Sequence, residues 1–270
     1  MPLHVRDLGS GPAVVFLHPG PGLDGSVFLP GAKRLAATHT LYLVDLPGNG
    51  HSPDGNRDDW TLAGFADALD RFVRKRRLED WTLLGHSFGG FVAMQYLVDF
   101  PGSASRLIAS CTDADEEPAR GAPEDPFEGL PEDVAASVRA AFDREAEVES
   151  VDDCRRVWLD QMPFFVGAPD RVERLRAAFS DVAYRVEIQR DGERDWGELH
   201  ALRALRESAI PVLAIAGEHD RATPPAAARR IAATAPQGEL VILDGVGHFP
   251  FAEAPDAYWG AVRSWLDRTR

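Results

Sequence analysis

Short apolar runs alternate with helical stretches along both ends of this 270-residue chain, and this alternation constrains the fold more than any other feature. Strand-like runs at Ala13–His18, Thr40–Asp45 and Trp81–Leu84 are separated by stretches with helical spacing such as Leu62–Val73. The same alternation returns from Ile210 onward. Because unbroken apolar strands between helices are typical of a parallel sheet covered on both faces, the sequence predicts an α/β fold.

The middle of the chain follows a different pattern. Thr112–Pro131 is rich in proline and acidic residues without periodicity, which predicts a loop. Apolar residues then recur every three or four positions in four stripes, which predict helices. Only Ala183–Ile188 has a strand-like pattern in this region. We therefore predict a core domain formed by residues 1–112 and 208–270, and a helical insertion, or cap, over 113–207.

The charge is strongly acidic and unevenly distributed. The net charge is −14, and residues 113–200 hold 24 acidic and 11 basic side chains, nearly the whole imbalance. A nucleic-acid partner is disfavoured because it would need a basic face. The acidic segment is interpreted either as a solubilising surface or as a field that steers cationic substrates.

Several protein classes are excluded by composition. Two cysteines, Cys111 and Cys154, cannot form the disulfide framework of a small secreted scaffold, and both are predicted to be buried free thiols. No apolar run approaches the roughly 20 residues of a membrane helix. The first eleven residues lack the apolar region of a signal peptide. We therefore predict a cytoplasmic protein without a membrane partner.

The segment Gly85–His86–Ser87–Phe88–Gly89–Gly90 carries the clearest chemical signal. It follows a predicted strand and precedes a predicted helix, which is the context that a G-x-S-x-G nucleophile requires. A serine presented in so tight a turn needs small residues two positions before and after it, here Gly85 and Gly89. Ser87 is therefore the predicted nucleophile.

An acyl-transfer serine needs a base, and the base needs an acid that orients it. His248 follows the last predicted strand in a glycine-containing loop and is the predicted base, with His219 as a rival. Asp220 ends the Gly217–Asp220 segment after an earlier strand and is the predicted acid. Further acidic residues remain as alternatives for that role: Asp113, Asp115 and Glu218.

Two backbone amides are needed to stabilise the oxyanion of the tetrahedral intermediate. One is predicted to be that of Phe88, which follows the nucleophile. The other is expected from the loop His18–Pro19–Gly20–Pro21–Gly22, where the prolines have no N–H and Gly20 is the best donor. The chemistry requires no metal or organic cofactor, and the histidines show no metal-ligand spacing.

Substrate recognition is assigned to the predicted cap. Four of its side chains are predicted either to line an acyl pocket or to form the interior of the cap: Trp158, Met162, Phe164 and Phe165. Acidic cap residues are candidates to bind a substrate ammonium group, although the sequence selects none in particular.

Taken together, these motifs resemble the α/β-hydrolase fold family over almost the whole chain. The resemblance is carried by the His18–Gly22 loop, the Asp45–Ser52 segment, the Gly85–Gly90 turn, Gly217–Asp220 and Gly247–His248. It implies a mostly parallel sheet of about eight strands flanked by helices, with a helical cap after the sixth strand. The short N-terminus implies that the first family strand is missing and that residues 3–7 form the second.

Within this family, the chain resembles two groups and departs from one of them. His18–Gly22 is similar to the His-Gly-Gly-Pro-Gly of proline iminopeptidases, but Pro19, Asp45–Gly48 and Phe88 differ from those peptidases. Asp45–Gly48 looks more like small esterases. The predicted function is a serine hydrolase that cleaves a small ester, lactone or amide. An aminopeptidase and a ligand-binding receptor on a hydrolase scaffold are the alternatives.

Overall fold

The structure, a computed structural model, describes residues 2–191 and 196–269. Within this part of the chain, seven strands form one sheet in the order β1-β3-β2-β4-β5-β6-β7. Only the pair β1–β3 is antiparallel among these neighbours. The strands are β1 (Val5–Gly9), β2 (Ala13–Leu17), β3 (Thr40–Val44), β4 (Thr82–His86), β5 (Arg106–Ser110), β6 (Val212–Gly217) and β7 (Gly238–Leu243).

The mostly parallel sheet confirms the predicted fold class. It has one strand fewer than the eight that the resemblance implies. The strand predicted over residues 3–7 is β1 (Val5–Gly9), at one edge of the sheet. With β1 counted as the second family strand, β5 is the sixth strand, and the helical insertion follows it as predicted.

Helices cover both faces of the sheet. Four short 3₁₀ turns lie at Gly25–Phe28, Arg57–Asp59, Glu145–Glu147 and Pro169–Arg171. The α-helices of the described chain are α1 (Leu29–Ala32), α2 (Leu62–Arg76), α3 (Phe88–Asp99), α4 (Glu132–Asp143), α5 (Val151–Phe165), α6 (Val172–Ala178), α7 (Val186–Arg190), α8 (Leu202–Glu207), α9 (Pro225–Thr234), α10 (Pro250–Glu253) and α11 (Pro255–Arg268). No helix within the described ranges combines the length and apolar character needed to cross a membrane.

Alternate residues of each central strand belong to two separate apolar cores. In β2, Val14 and Phe16 pack with Trp259 of α11 and with side chains of the insertion. Val15 and Leu17 pack with α2, α3 and α9 on the opposite face. This period of two is expected for a sheet that is buried on both sides.

The chain between β5 and β6 contains α4 to α8. Its two ends meet in an antiparallel bridge between Asp115 and His200, flanked by a hydrogen bond from the Ala201 amide to the Ala114 carbonyl (2.8 Å). The strand-like pattern predicted at Ala183–Ile188 is wrong, because the structure has α7 over its second half. The last of the four predicted helical stripes, formed by Trp196, Leu199 and Leu202, lies mostly before a helix, since α8 starts only at Leu202.

The register of the parallel strands brings their carboxyl ends to one edge. Leu17 pairs with Gly85, His86 with Ser110, and Gly217 with Leu243. The segments that follow these strands therefore meet at the same edge of the sheet, which is where ligands bind in open α/β sheets.

Candidate active site

Ser87 lies in the turn between β4 and α3, with backbone angles φ 53° and ψ −121°. A non-glycine residue with such a φ is strained by about 1–3 kcal/mol and persists only where its surroundings fix it. The turn leaves no room at its neighbours: a Cβ on Gly85 would lie 2.4 Å from the Gly89 carbonyl oxygen, and one on Gly89 would lie 2.3 Å from that of Leu17. The glycines are therefore a steric requirement of the turn.

The predicted nucleophile, base and acid form one hydrogen-bonded chain. His248 Nε2 lies 2.9 Å from Ser87 Oγ, and His248 Nδ1 lies 2.9 Å from both carboxylate oxygens of Asp220. Both His248 and Asp220 are almost fully buried. Because an ionised carboxylate can only accept, Nδ1 carries the proton and Nε2 is free to accept the serine hydroxyl.

The Asp220 carboxylate is held by the start of the next segment. It accepts hydrogen bonds from the Ala222 amide (3.0 Å), the Thr223 amide (2.9 Å) and the Thr223 hydroxyl (3.0 Å). These donors fix the orientation of the carboxylate toward His248.

The residues weighed as alternatives have other partners. Asp113 pairs with Arg230 Nη2 at 2.5 Å, and Asp115 lies 3.7 Å from His200 Nδ1. Glu218 accepts the Gly245 amide at 2.8 Å, while His219 is half exposed. Within the described chain, the acid that bonds the His248 ring is Asp220.

The loop that follows β2 is tied by hydrogen bonds to the segment that follows β3. The Leu46 amide donates to His18 Nε2 (3.1 Å), and the Gly22 amide donates to the Asn49 Oδ1 (2.7 Å). Gly20 borders the same space as Ser87, and Phe88 supplies the first amide of α3, which has no acceptor within its own helix. The oxyanion roles of Gly20 and Phe88 stay predictions.

Two cavities meet at Ser87, and Gly20, Pro21 and Ala222 border both of them. The larger has a volume of about 560 Å³ and largely apolar walls, which include Leu62, Phe88, Phe91, Pro118, Ala119 and Leu199. The smaller has a volume of about 200 Å³, and its other walls are Pro19, Phe142, Glu145, Trp158, Phe165, Gln189, His248 and Phe249.

The structure separates the four predicted pocket residues into two pairs. Trp158 and Phe165 border the smaller cavity. Met162 and Phe164 border neither cavity and are buried in the apolar interior. Phe164 packs there against Phe127 at a ring distance of 5.0 Å. Helical periodicity identified the apolar side of α5 but could not distinguish a cavity wall from packed interior.

Sequence reasoning missed Glu253, whose fully buried carboxylate holds the loop that carries His248. It accepts hydrogen bonds from the amides of Gly247 (3.1 Å), Phe249 (3.3 Å) and Gly167 (2.8 Å). Burial raises the pKa of Glu253 despite these donors. The sequence signal that could have indicated this buried carboxylate is an acidic residue directly after the apolar run Phe249–Ala252.

Replacing Glu253 by glutamine is expected to lower kcat about 10- to 100-fold, with a smaller change in KM, because small misplacements of a catalytic group are costly. The amide nitrogen would face backbone N–H groups that need an acceptor. Steady-state kinetics and thermal unfolding of the variant measure the effect. Glu239→Gln is the control, since Glu239 is exposed and pairs with Arg268. An unchanged kcat would contradict the positioning role.

The Cys111 thiol lies beside the buried acid and base. Its Sγ and one ligand atom each of Asp220 and His248 are within 4.8 Å of one another. Burial raises the pKa of Cys111 well above its ordinary value, with the Asp220 charge as a second cause. Because a cysteine binds a metal as the thiolate, this group does not suit a metal site. Both thiols are free and buried, as predicted.

Comparisons with known proteins agree with the fold. Residues 12–255 match the family described as alpha/beta hydrolase fold. A pimeloyl-(acyl-carrier protein) methyl ester esterase of Xanthomonas campestris pv. campestris is 29% identical over 273 residues, which cover 98% of each chain. An enzyme of the same name from Xanthomonas oryzae pv. oryzae is 30% identical over 268 residues, again covering 98% of each chain.

A solved structure of an alpha/beta fold family hydrolase from Bacillus anthracis matches with a TM-score of 0.79 at 18% identity, covering 97% of this chain and 94% of that one. A serine presented after a central parallel strand, with acid and base from later loops, is the arrangement of a hydrolase built on an α/β sheet. The chain belongs to the α/β hydrolase fold family. The predicted family and the predicted hydrolase class are thereby confirmed.

Proposed function

We propose that this protein is a serine hydrolase that cleaves small carboxylic esters through an acyl-enzyme on Ser87. The observation that carries the proposal is the buried hydrogen-bonded chain from Asp220 through His248 to Ser87. The methyl ester esterases among the relatives support ester cleavage as the reaction.

The geometry suits a two-step acyl transfer. His248 Nε2 accepts the Ser87 proton as Oγ attacks the ester carbonyl carbon, and Asp220 stabilises the resulting imidazolium. The Gly20 and Phe88 amides hold the oxyanion. The tetrahedral intermediate collapses when the bond to the leaving alcohol breaks and His248 gives that oxygen its proton. Water activated by His248 then attacks the acyl-enzyme, and the acid leaves as Ser87 recovers its proton.

The leaving group and the acyl chain of the substrate are assigned to different cavities. His248 borders the smaller cavity, whereas Phe88 borders the larger one. Because His248 must protonate the leaving oxygen, the leaving group is assigned to the smaller cavity and the acyl chain to the larger. Residues 113–207 act as the cap in this assignment, since they contribute walls to both cavities.

A series of methyl esters with lengthening acyl chains tests the reaction and the assignment together. Each methylene added between acetate and hexanoate is expected to raise kcat/KM about fourfold. This factor corresponds to the free energy of burying one methylene group, about 0.8 kcal/mol. Proton release gives the rates, with the Ser87→Ala protein as the blank. A flat series would contradict the placement of the acyl chain in the larger cavity.

Methyl L-prolinate and methyl cyclopentanecarboxylate form a matched pair in the same assay, since they differ in the ring amine. The ester without the amine is expected to react at least as well, because the acyl side of the site is largely apolar. A strong preference for the prolinate would favour an aminopeptidase instead. Turnover of no ester above the blank would favour a ligand-binding receptor.

A further inference from the structure

The smaller cavity contains buried polar atoms for which the proposed mechanism has no role. Gln189 of α7 is only 3% exposed and borders this cavity. Within residues 2–191 and 196–269, neither its amide oxygen nor its amide nitrogen has a hydrogen-bond partner. The indole nitrogen of Trp158, which borders the same cavity, also lacks a partner there.

Leaving such groups unpaired is costly. A buried donor or acceptor without a partner costs about 1–3 kcal/mol, and native proteins keep few of them without a reason. Two of these side chains at one cavity beside Ser87 indicate that a ligand group supplies the partners.

The donor and acceptor set restricts the chemistry of that group. The Gln189 amide offers both a donor and an acceptor, whereas the Trp158 indole only donates. Glu145 also borders the cavity, and its Oε1 already accepts from Gln161 Nε2 at 2.6 Å. The 3₁₀ turn with Glu145 contacts α7, and the Glu145, Trp158 and Gln189 side chains all border the same cavity.

A hydroxyl group fits this set best, because it donates and accepts at once. A carboxylate would leave the Gln189 oxygen unpaired and would be repelled by Glu145. An ammonium would be attracted by Glu145 but would leave the donors of Trp158 and Gln189 unpaired. An alkyl group would satisfy none of them. The aromatic rings of Phe142, Phe165 and Phe249 supply apolar walls for the carbon atoms.

We propose that the smaller cavity binds a leaving alcohol that carries a second hydroxyl group, so that esters of short diols or of glycerol are preferred substrates. This inference rests on the proposed function, which places the leaving group beside His248. A cavity volume of about 200 Å³ limits the alcohol to a short chain.

Three hexanoate esters that differ only in the alcohol test the inference: propyl, 2-hydroxyethyl and carboxymethyl. The propyl and 2-hydroxyethyl groups are of equal length and differ at the terminal atom. After division by the rate of hydroxide-catalysed hydrolysis, kcat/KM for the 2-hydroxyethyl ester is expected to be about tenfold above that of the propyl ester, as one added buried hydrogen bond would give.

The ratio of the two values is then measured in variants. In Gln189→Leu the ratio is expected to fall to about one to threefold. Trp158→Phe removes only the indole donor and should lower the ratio by a smaller factor. Gln237→Leu is the matched control, because Gln237 is exposed and borders neither cavity. It should retain the full ratio.

The possible results distinguish a failure of this inference from a failure of the proposed function. An equal or higher kcat/KM for the propyl ester, or a preference for the carboxymethyl ester, would overturn the inference while leaving the esterase in place. A ratio that survives in both Gln189→Leu and Trp158→Phe would also overturn it. If none of the esters exceeds the Ser87→Ala blank, the proposed function itself fails.

Discussion

Replacing Ser87 by alanine is expected to lower kcat for methyl hexanoate about 10⁴-fold or more, because no acyl-enzyme can form without Oγ. The oxygen removed is the one that lies 2.9 Å from His248 Nε2. Alanine is smaller than serine and makes no new contact in the turn, so the fold should be retained. Initial rates and thermal unfolding of the purified variant give the two readings.

Ser264→Ala is the matched control for this prediction. Ser264 is exposed on α11, where its hydroxyl accepts from Arg268, and it borders neither cavity. A sulfonyl fluoride, which sulfonylates activated serines with loss of fluoride, should modify the native protein once and Ser87→Ala not at all. Turnover by Ser87→Ala within tenfold of the native protein, at the same melting temperature, would remove Ser87 from the mechanism.

Asp220→Asn is expected to cost about 10³- to 10⁴-fold in kcat, since the asparagine amide favours the wrong tautomer of His248. The amide nitrogen would donate to Nδ1, leaving the proton on Nε2, which could then no longer accept it from Ser87. The change should leave KM less affected than kcat. Steady-state kinetics across the neutral pH range give the comparison.

Glu218→Gln is the control for the acid, because Glu218 was itself an alternative and lies two residues away. It is half exposed and accepts the Gly245 amide rather than the His248 ring. Its kcat should stay within about threefold of the native value. If Glu218→Gln were as impaired as Asp220→Asn, the orientation of His248 by Asp220 would be contradicted.

Ser87, Asp220 and His248 were predictable because each one immediately follows a strand or sits in the loop after it. Parallel strands end at one edge of the sheet, so a linear pattern of strands and motifs predicts which residues meet. The same reasoning identified the loop with Gly20. Local sequence therefore carries most of the information about the reacting groups.

The walls of the smaller cavity were not predictable in this way. Gln189 and Glu145 reach it through the packing of short elements in the insertion, whose order along the chain does not reveal their contacts. Ala183–Ile188 looked strand-like because it contains Val186 and Ile188. In the structure, Ile188 is buried within α7, and tertiary packing overrides the weak local preference.

The hydrogen bond from the Gly167 amide to Glu253 connects two parts of the molecule that the chain order keeps far apart. Gly167 belongs to the segment between β5 and β6, whereas the other amides bound by Glu253 flank His248. The Phe165 carbonyl reinforces this link by accepting the His248 amide at 2.6 Å. A displacement of the segment at this point would pull the base out of line with Ser87. Because this side of the segment is tied to the loop that carries His248, we expect substrates to reach Ser87 from the opposite side, through the larger cavity.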